Sequence, residues 1–155
     1  MAQETILAMY EVQKLNVLSS TQISSRTKAI ISHLTGDRGT GEKPVIVSIK
    51  ARAMVAGKLV SIIEIAKREL AAKGVNCFQY TALTSELVDI PRKAKRTTKD
   101  GQSILPEARE DDSEDGFETM GAPNGATKQR NMPVMTVHLS RTPVRELKAR
   151  YGEQA

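Results

Sequence analysis

The chain has 155 residues, 39% apolar and 26% charged, which allows one compact domain with a modest core plus some unpacked length. A net charge of +5 favours a polyanionic partner. The single Cys77 excludes an internal disulfide and fits a reducing compartment. No apolar stretch is long enough to span a membrane, and residues 1–18 lack the basic start and apolar core of a secretory signal. A nuclear or cytosolic protein is expected. The aromatics are only Tyr10, Phe78, Tyr80, Phe117 and Tyr151, so base stacking would be a minor contributor if the partner is nucleic acid.

Residues 1–13 are weakly patterned and are expected as a flexible N-terminus. "KLNVLSS" (14–20) reads as a short strand with Leu15 and Val17 on one face. "STQISSRTKAIISHL" (20–34) places Ile23, Thr27, Ile30, Ile31 and Leu34 at helical spacing, with Ser20 or Thr21 as the cap. "TGDRGTGEK" (35–43) is a Gly-rich loop. It fails as a phosphate loop, because Gly41-Glu42-Lys43-Pro44 leads into a strand and carries no Gly-Lys-Ser/Thr entering a helix.

"PVIVSIK" (44–50) is a strand whose apolar start predicts burial on both faces. A helix follows from about Arg52 to Lys73, with Gly74 past its end. Val55, Leu59, Ile62, Ala66 and Leu70 form its core stripe. Val60, Ile63 and Ile65 widen the apolar surface, which would suit a second contact such as a dimer seam. "VNCFQYTALTSELV" (75–88) and "PVMTVHLSR" (133–141) are two more strands, the latter alternating Met135, Val137 and Leu139 with Thr136 and His138. The order β-α-β-α-β-β predicts a small two-layer α/β sandwich.

Residues 91–131 interrupt it. They are poor in apolar residues, basic at "PRKAKRTTK" (91–99) and acidic at "EAREDDSEDGFE" (107–118), and are expected to be disordered. Eight cations and eight anions cancel there, leaving 15 of the 23 Lys/Arg against 10 of the 18 Asp/Glu elsewhere. The whole positive excess therefore belongs to the rest of the chain. The organisation expected is a flexible stretch 1–13, a domain 14–142 broken by the loop 91–131, and a basic tail 143–155. In that tail Thr142 and Pro143 could start a short helix.

Lys50, Arg52 and Lys58 surround the strand-to-helix corner. A helix N-terminus attracts phosphate through free N–H groups and its dipole, and flanking cations add charge-assisted bonds. An ordinary solvated helix start explains the same residues. Arg26 and Lys28 fit either phosphate contact or a wet helix face. Ser20, Thr21 and Gln22 could donate to phosphate or a 2′-OH, although capping accounts for the first two. The run containing Lys93, Lys95 and Arg96 reads equally as an arm along a groove, a soluble linker or a nuclear localisation signal. His33, His138 and Cys77 stand alone, with no metal-ligand or paired-carboxylate spacing, so neither an enzyme nor a cofactor is expected.

The stretch "VSIKARAMVAGKLVSIIEIAKREL" (47–70) resembles the second strand and second helix of the Alba family of DNA/RNA-binding proteins, with Lys50, Ala51, Val60 and Glu64 on the family pattern. The element order and the strand "VMTVHLSR" also match. Three positions depart from it, since Ala53 and Met54 stand where the family commonly carries Gly and a basic residue, and Gln22 stands about where a Lys is expected. The resemblance implies a homodimer, or a heterodimer with another Alba-like chain, that binds RNA, or alternatively DNA, without catalysis. The long spacer and "HLSRTPV" ending look more like the ribonuclease P/MRP subunit branch, which implies a ribonucleoprotein role in tRNA and rRNA processing, in the nucleus and also the cytoplasm. A DNA-coating chromatin protein and a protein–protein adaptor are the alternatives.

Overall fold

The computed structural model describes residues 2–36, 42–91 and 127–155. Along the chain run α1 (Ala2–Met9), β1 (Glu11–Val17), α2 (Ile23–Thr35), β2 (Val45–Arg52), α3 (Ala56–Ala72), β3 (Phe78–Pro91), β4 (Thr127–Ser140) and α4 (Arg145–Tyr151). The sheet order is β1-β2-β4-β3. β1 pairs with β2 in parallel, from Glu11 opposite Val45 to Val17 opposite Ala51. β2 pairs antiparallel with β4, from Ile46 opposite Ser140 to Arg52 opposite Val134. The expected β-α-β-α-β-β order is thus present as a two-layer α/β sandwich.

Successive strand residues point to opposite faces, and β2 is buried on both at its start, as its apolar run predicts. Val47, Ile49 and Ala51 enter the core under α2 and α3, with Val137 and Leu139 of β4 beside them. Ile30, Ile31 and Leu34 of α2 close that core with Leu59, Ile62, Ile63, Ala66 and Leu70 of α3. Ile63 therefore belongs to the core, whereas Val60 and Ile65 stay 44% and 38% exposed. Five positions apart, these two lie on different sides of the helix.

Two further helices surround Ile46 on the other face. Ile6 of α1 with Tyr10, and Val144 and Leu147 at α4, pack there with Val12, Phe78, Tyr80 and Tyr151. The N-terminal residues expected to be flexible thus form α1 and the start of β1, because Ile6 and Tyr10, four apart, share one apolar contact. The expected basic tail is likewise docked. The Val144 N–H donates to Tyr80 Oη (2.8 Å), and Tyr80 Oη donates to Glu153 Oε2 (2.9 Å). Lys148 Nζ pairs with Glu153 Oε1 at 3.0 Å, and Lys148 first, then Tyr80, holds that carboxyl below its ordinary range. Gln154 and Gln79 exchange two backbone bonds (2.7 and 2.9 Å), covering the edge of β3 at that point.

β3 and β4 are each 14 residues long, longer than the apolar pattern alone predicts. Pro91 closes β3 and residues 127–131 open β4, so both ends of the expected loop are strand; its remaining residues lie outside the described ones. Among the described residues, 87–91 and 127–131 belong to a second unit.

Helix α3 ends as the sequence predicts. Gly74 adopts φ +72°, its N–H donates to Ala71 O (3.0 Å) and the Val75 N–H to Leu70 O (2.9 Å), the Schellman arrangement. Gly57, inside the same helix, would meet nothing within 4 Å on gaining a Cβ. Gly74→Ala is expected to destabilise by about 1–2 kcal/mol, and Gly57→Ala to stabilise by up to about 1 kcal/mol. Urea unfolding of the two variants checks both signs.

His138 faces the side of the sheet that carries α1 and α4, opposite Ser48 of β2, and stacks on Tyr151 at 5.9 Å and 22°. Burial holds its imidazole below the ordinary value of 6.5. The unfolded chain then takes up a proton that the folded one resists, so this contribution is intact above about 6.5 and is lost as pH falls below it. The urea midpoint is expected to fall between about pH 7.5 and 5, and to fall less in His138→Gln.

Candidate nucleic-acid interface

β1 and β2 end side by side, so α2 and α3 both begin at one edge of the sheet. The chain between β1 and α2 makes a tight turn in which Thr21 Oγ1 accepts from the Leu18 N–H (2.9 Å) and the Thr21 N–H donates to Leu18 O (3.1 Å). Thr21 therefore closes the turn and does not cap the helix. Gln22 occupies the N-cap position without a side-chain cap bond, and α2 starts at Ile23, later than read. Thr27 explains its place in the core stripe by donating to Ile23 O (2.8 Å).

After β2 the chain takes one 3-10 turn (Ala53–Val55), and α3 starts at Ala56 with Val55 as an uncapped N-cap. The helix thus begins four residues past Arg52. Neither start has a side-chain cap bond, although at α3 the Ala56 N–H already donates to Ala53 O of the 3-10 turn, and each carries the positive end of a helix dipole.

The three corner cations separate. Lys58 Nζ donates to Ser19 O and to Thr21 O (3.1 Å), lashing the turn before α2 to the first turn of α3. Lys50 points to the other face of the sheet and pairs with Glu86 of β3 across the width of β4, the two side chains 43% and 38% exposed. Such half-exposed pairs add little stability, but Glu86 offsets the charge of Lys50. Arg52 is exposed and has no side-chain partner among the described residues.

Ser20 and Gln22 are exposed at the same edge, and Lys28 is exposed one turn further along α2. Arg26 is half-buried, its Nε shut from solvent with no acceptor among the described residues. Ser20, Thr21, Gln22, Arg52 and Lys58 therefore come together at one edge. Lys50 does not join them, and Lys93, Lys95 and Arg96 lie outside the described residues. Met54, where the resemblance expects a basic residue, is 89% exposed beside Arg52. The role of Glu86 escaped the sequence reading, although strand alternation from the buried Tyr80 and Ala82 would have placed it on the face of Lys50.

Nothing at this edge points to metal or nucleophile chemistry. Among the described residues no group of three or more His, Cys, Asp or Glu is placed to hold a metal ion. Burial pushes the Cys77 thiol up to about 11, which keeps it protonated and unreactive at neutral pH. No described helix is long and apolar enough to cross a membrane.

No family model and no curated protein matches the chain. Among solved structures it is similar to Alba from Thermoplasma volcanium, at 11% identity over 84% of this chain and 99% of that chain, with a TM-score of 0.41.

Replacing Lys58 by Met removes both bonds to the turn. The expected cost is about 1 kcal/mol, with faster amide exchange at Leu18 and Thr21 and little change at Leu59. Hydrogen exchange followed by NMR checks this.

Proposed function

We propose that the chain is a non-catalytic, Alba-like nucleic-acid-binding protein. It binds RNA through the edge where α2 and α3 begin and acts with a second Alba-like chain in a nuclear ribonucleoprotein of the ribonuclease P/MRP kind. The observation that carries the binding reading is the pair of uncapped helix N-termini on one edge, flanked by the exposed cations Arg52 and Lys28. Such an edge fits phosphates by dipole, N–H donors and charge together. The resemblance of residues 47–70 and the order of the elements support the family. The spacer and the "HLSRTPV" ending support the ribonucleoprotein branch and with it the second chain.

Recognition of this kind reads backbone and shape more than sequence. Lys58 acts here chiefly by fixing the two helix starts relative to each other, and Arg52 and Lys28 supply charge.

The test has two arms. Purification from cells with sequencing of the bound nucleic acid is expected to enrich one structured RNA together with an Alba-like chain; broad genomic DNA would support a chromatin protein instead. In vitro, Arg52→Ala with Lys28→Ala is expected to lower RNA affinity and reduce the salt slope by about 0.7–0.9 for each lost phosphate contact. An unchanged affinity and slope would leave the basic edge incidental and favour the adaptor reading.

A further inference from the structure

On the face of the sheet turned away from α2 and α3, beside the helices α1 and α4, lies a cavity of about 400 Å³. That volume is in the range of small-ligand sites, about 300–1,000 Å³. Its floor is set by strand alternation, with Lys14 opposite Ser48 on β1 and β2, and Lys50 opposite Thr136 on β2 and β4. Its wall is α4, which contributes Glu146, Arg150 and Tyr151.

The lining mixes apolar and polar groups. Ile46, Leu147 and the stacked rings of His138 and Tyr151 lie in it, and Ser48, opposite His138 on one side and Lys14 on the other, links the rings to the cationic part. That part holds Lys14, which is exposed and without a partner among the described residues, with Lys50 and the hydroxyl of Thr136. Three cations, Lys14, Lys50 and Arg150, line it with the carboxylate of Glu146, but Lys50 is paired with Glu86 and Arg150 lies over the Tyr151 ring, 5.5 Å from its centroid, so Lys14 is the available one. One oxygen of that carboxylate, Oε2, is shut from solvent and accepts no hydrogen bond among the described residues, so a ligand in the cavity meets the carboxylate at its other oxygen, which also accepts hydrogen bonds.

A ligand complementary to all of this has a flat ring, an N–H donor on the ring's edge and an anionic group a few ångströms away. We propose that the cleft takes one unpaired nucleotide of the bound RNA, its base extending the His138–Tyr151 stack, its N–H edge donating to Glu146 and its phosphate meeting Lys14. Stacking on aromatic rings with hydrogen bonds to the base edge is how splayed-out RNA bases are held. Adenine, cytosine and guanine can meet Glu146 with an exocyclic amino group and uracil with its ring N–H, so this contact holds the base without selecting among the four. The proposal rests on the RNA-binding reading above but uses a different face of the molecule, so the two can fail separately.

The test uses the full chain and an RNA stem with one unpaired 2-aminopurine, an amino-bearing base whose fluorescence falls on stacking. Binding is expected to quench it. Lys14→Glu, at an exposed strand position, is expected to abolish the quench and weaken this RNA about tenfold, within the range for one lost base contact. Its affinity for a fully paired stem stays unchanged. Glu86→Gln, which frees Lys50, strengthens binding of the first RNA only.

A quench unaffected by Lys14→Glu and by Tyr151→Leu, in proteins with unaltered circular dichroism, overturns the cleft. If Arg52→Ala still weakens the paired stem, the edge reading survives that result. Failure of every RNA to bind sinks both. Free guanosine monophosphate binding as tightly as the RNA would make this a free-nucleotide site and overturn the proposal.

Discussion

The parallel register of β1 and β2 is the constraint from which the rest follows. With Val17 opposite Ala51, both strands stop at one edge, and both following helices must start there to return over the same face. That return buries Val47, Ile49 and Ala51 under α2 and α3. A one-residue slip of β2 would turn these three outward and bring Ser48 and Lys50 into the core, so burial fixes the register strongly. The nearness of two helix starts is then a by-product of core packing. Lys58 holds them together by a charged group on two carbonyls, a bond that charge assistance makes stronger than a neutral one.

This geometry separates charge that exists from charge that is available. The sequence puts three cations within nine positions of the corner, and the fold gives each a different fate. Alternation sends Lys50 to the opposite face, where Glu86 meets it. Lys58 is engaged with the backbone of a neighbouring turn. Of the three, only Arg52 has no side-chain partner among the described residues, and its neighbour Met54 is apolar and exposed. The described corner thus presents fewer free cations than a count of its Lys and Arg implies. Backbone dipoles and N–H groups must carry more of any phosphate contact there.

The core was legible where periodicity and burial agree. Ile30, Ile31 and Leu34, the alternating Met135, Val137 and Leu139, and the glycine that ends α3 were all readable. Each is decided locally, by spacing or by a backbone angle that glycine alone adopts at low cost. What escaped was decided elsewhere in the chain. Thr21 reads as a cap, but the turn needs its hydroxyl at Leu18. Residues 2–9 read as patternless, because their helix is held mainly by Ile6 against residues far along the sequence. The polar outer lengths of β3 and β4 have no apolar alternation to betray them. Of the candidate edge, the residues could be named beforehand, but not which cations would already be engaged.

Composition gave one further clue that only the fold explains. Of five aromatic residues, Tyr10, Phe78, Tyr80 and Tyr151 gather on the second face, and the fifth, Phe117, lies outside the described residues. A two-layer sandwich leaves that face of its sheet bare, and here the two ends of the described chain cover part of it with α1 and α4. The rings fill the contact because short helices of eight and seven residues cannot hold themselves in water and depend on tertiary burial. Tyr80 serves twice, burying its ring under α4 and using its hydroxyl to hold both Val144 and Glu153. Coverage stops where the strands become polar, at Lys14, Ser48, Lys50 and Thr136, and there the cleft opens. The same docking that completes the apolar cluster therefore leaves a cationic shelf beside a stack of rings, a surface of a different kind from the helix edge on the far side of the sheet.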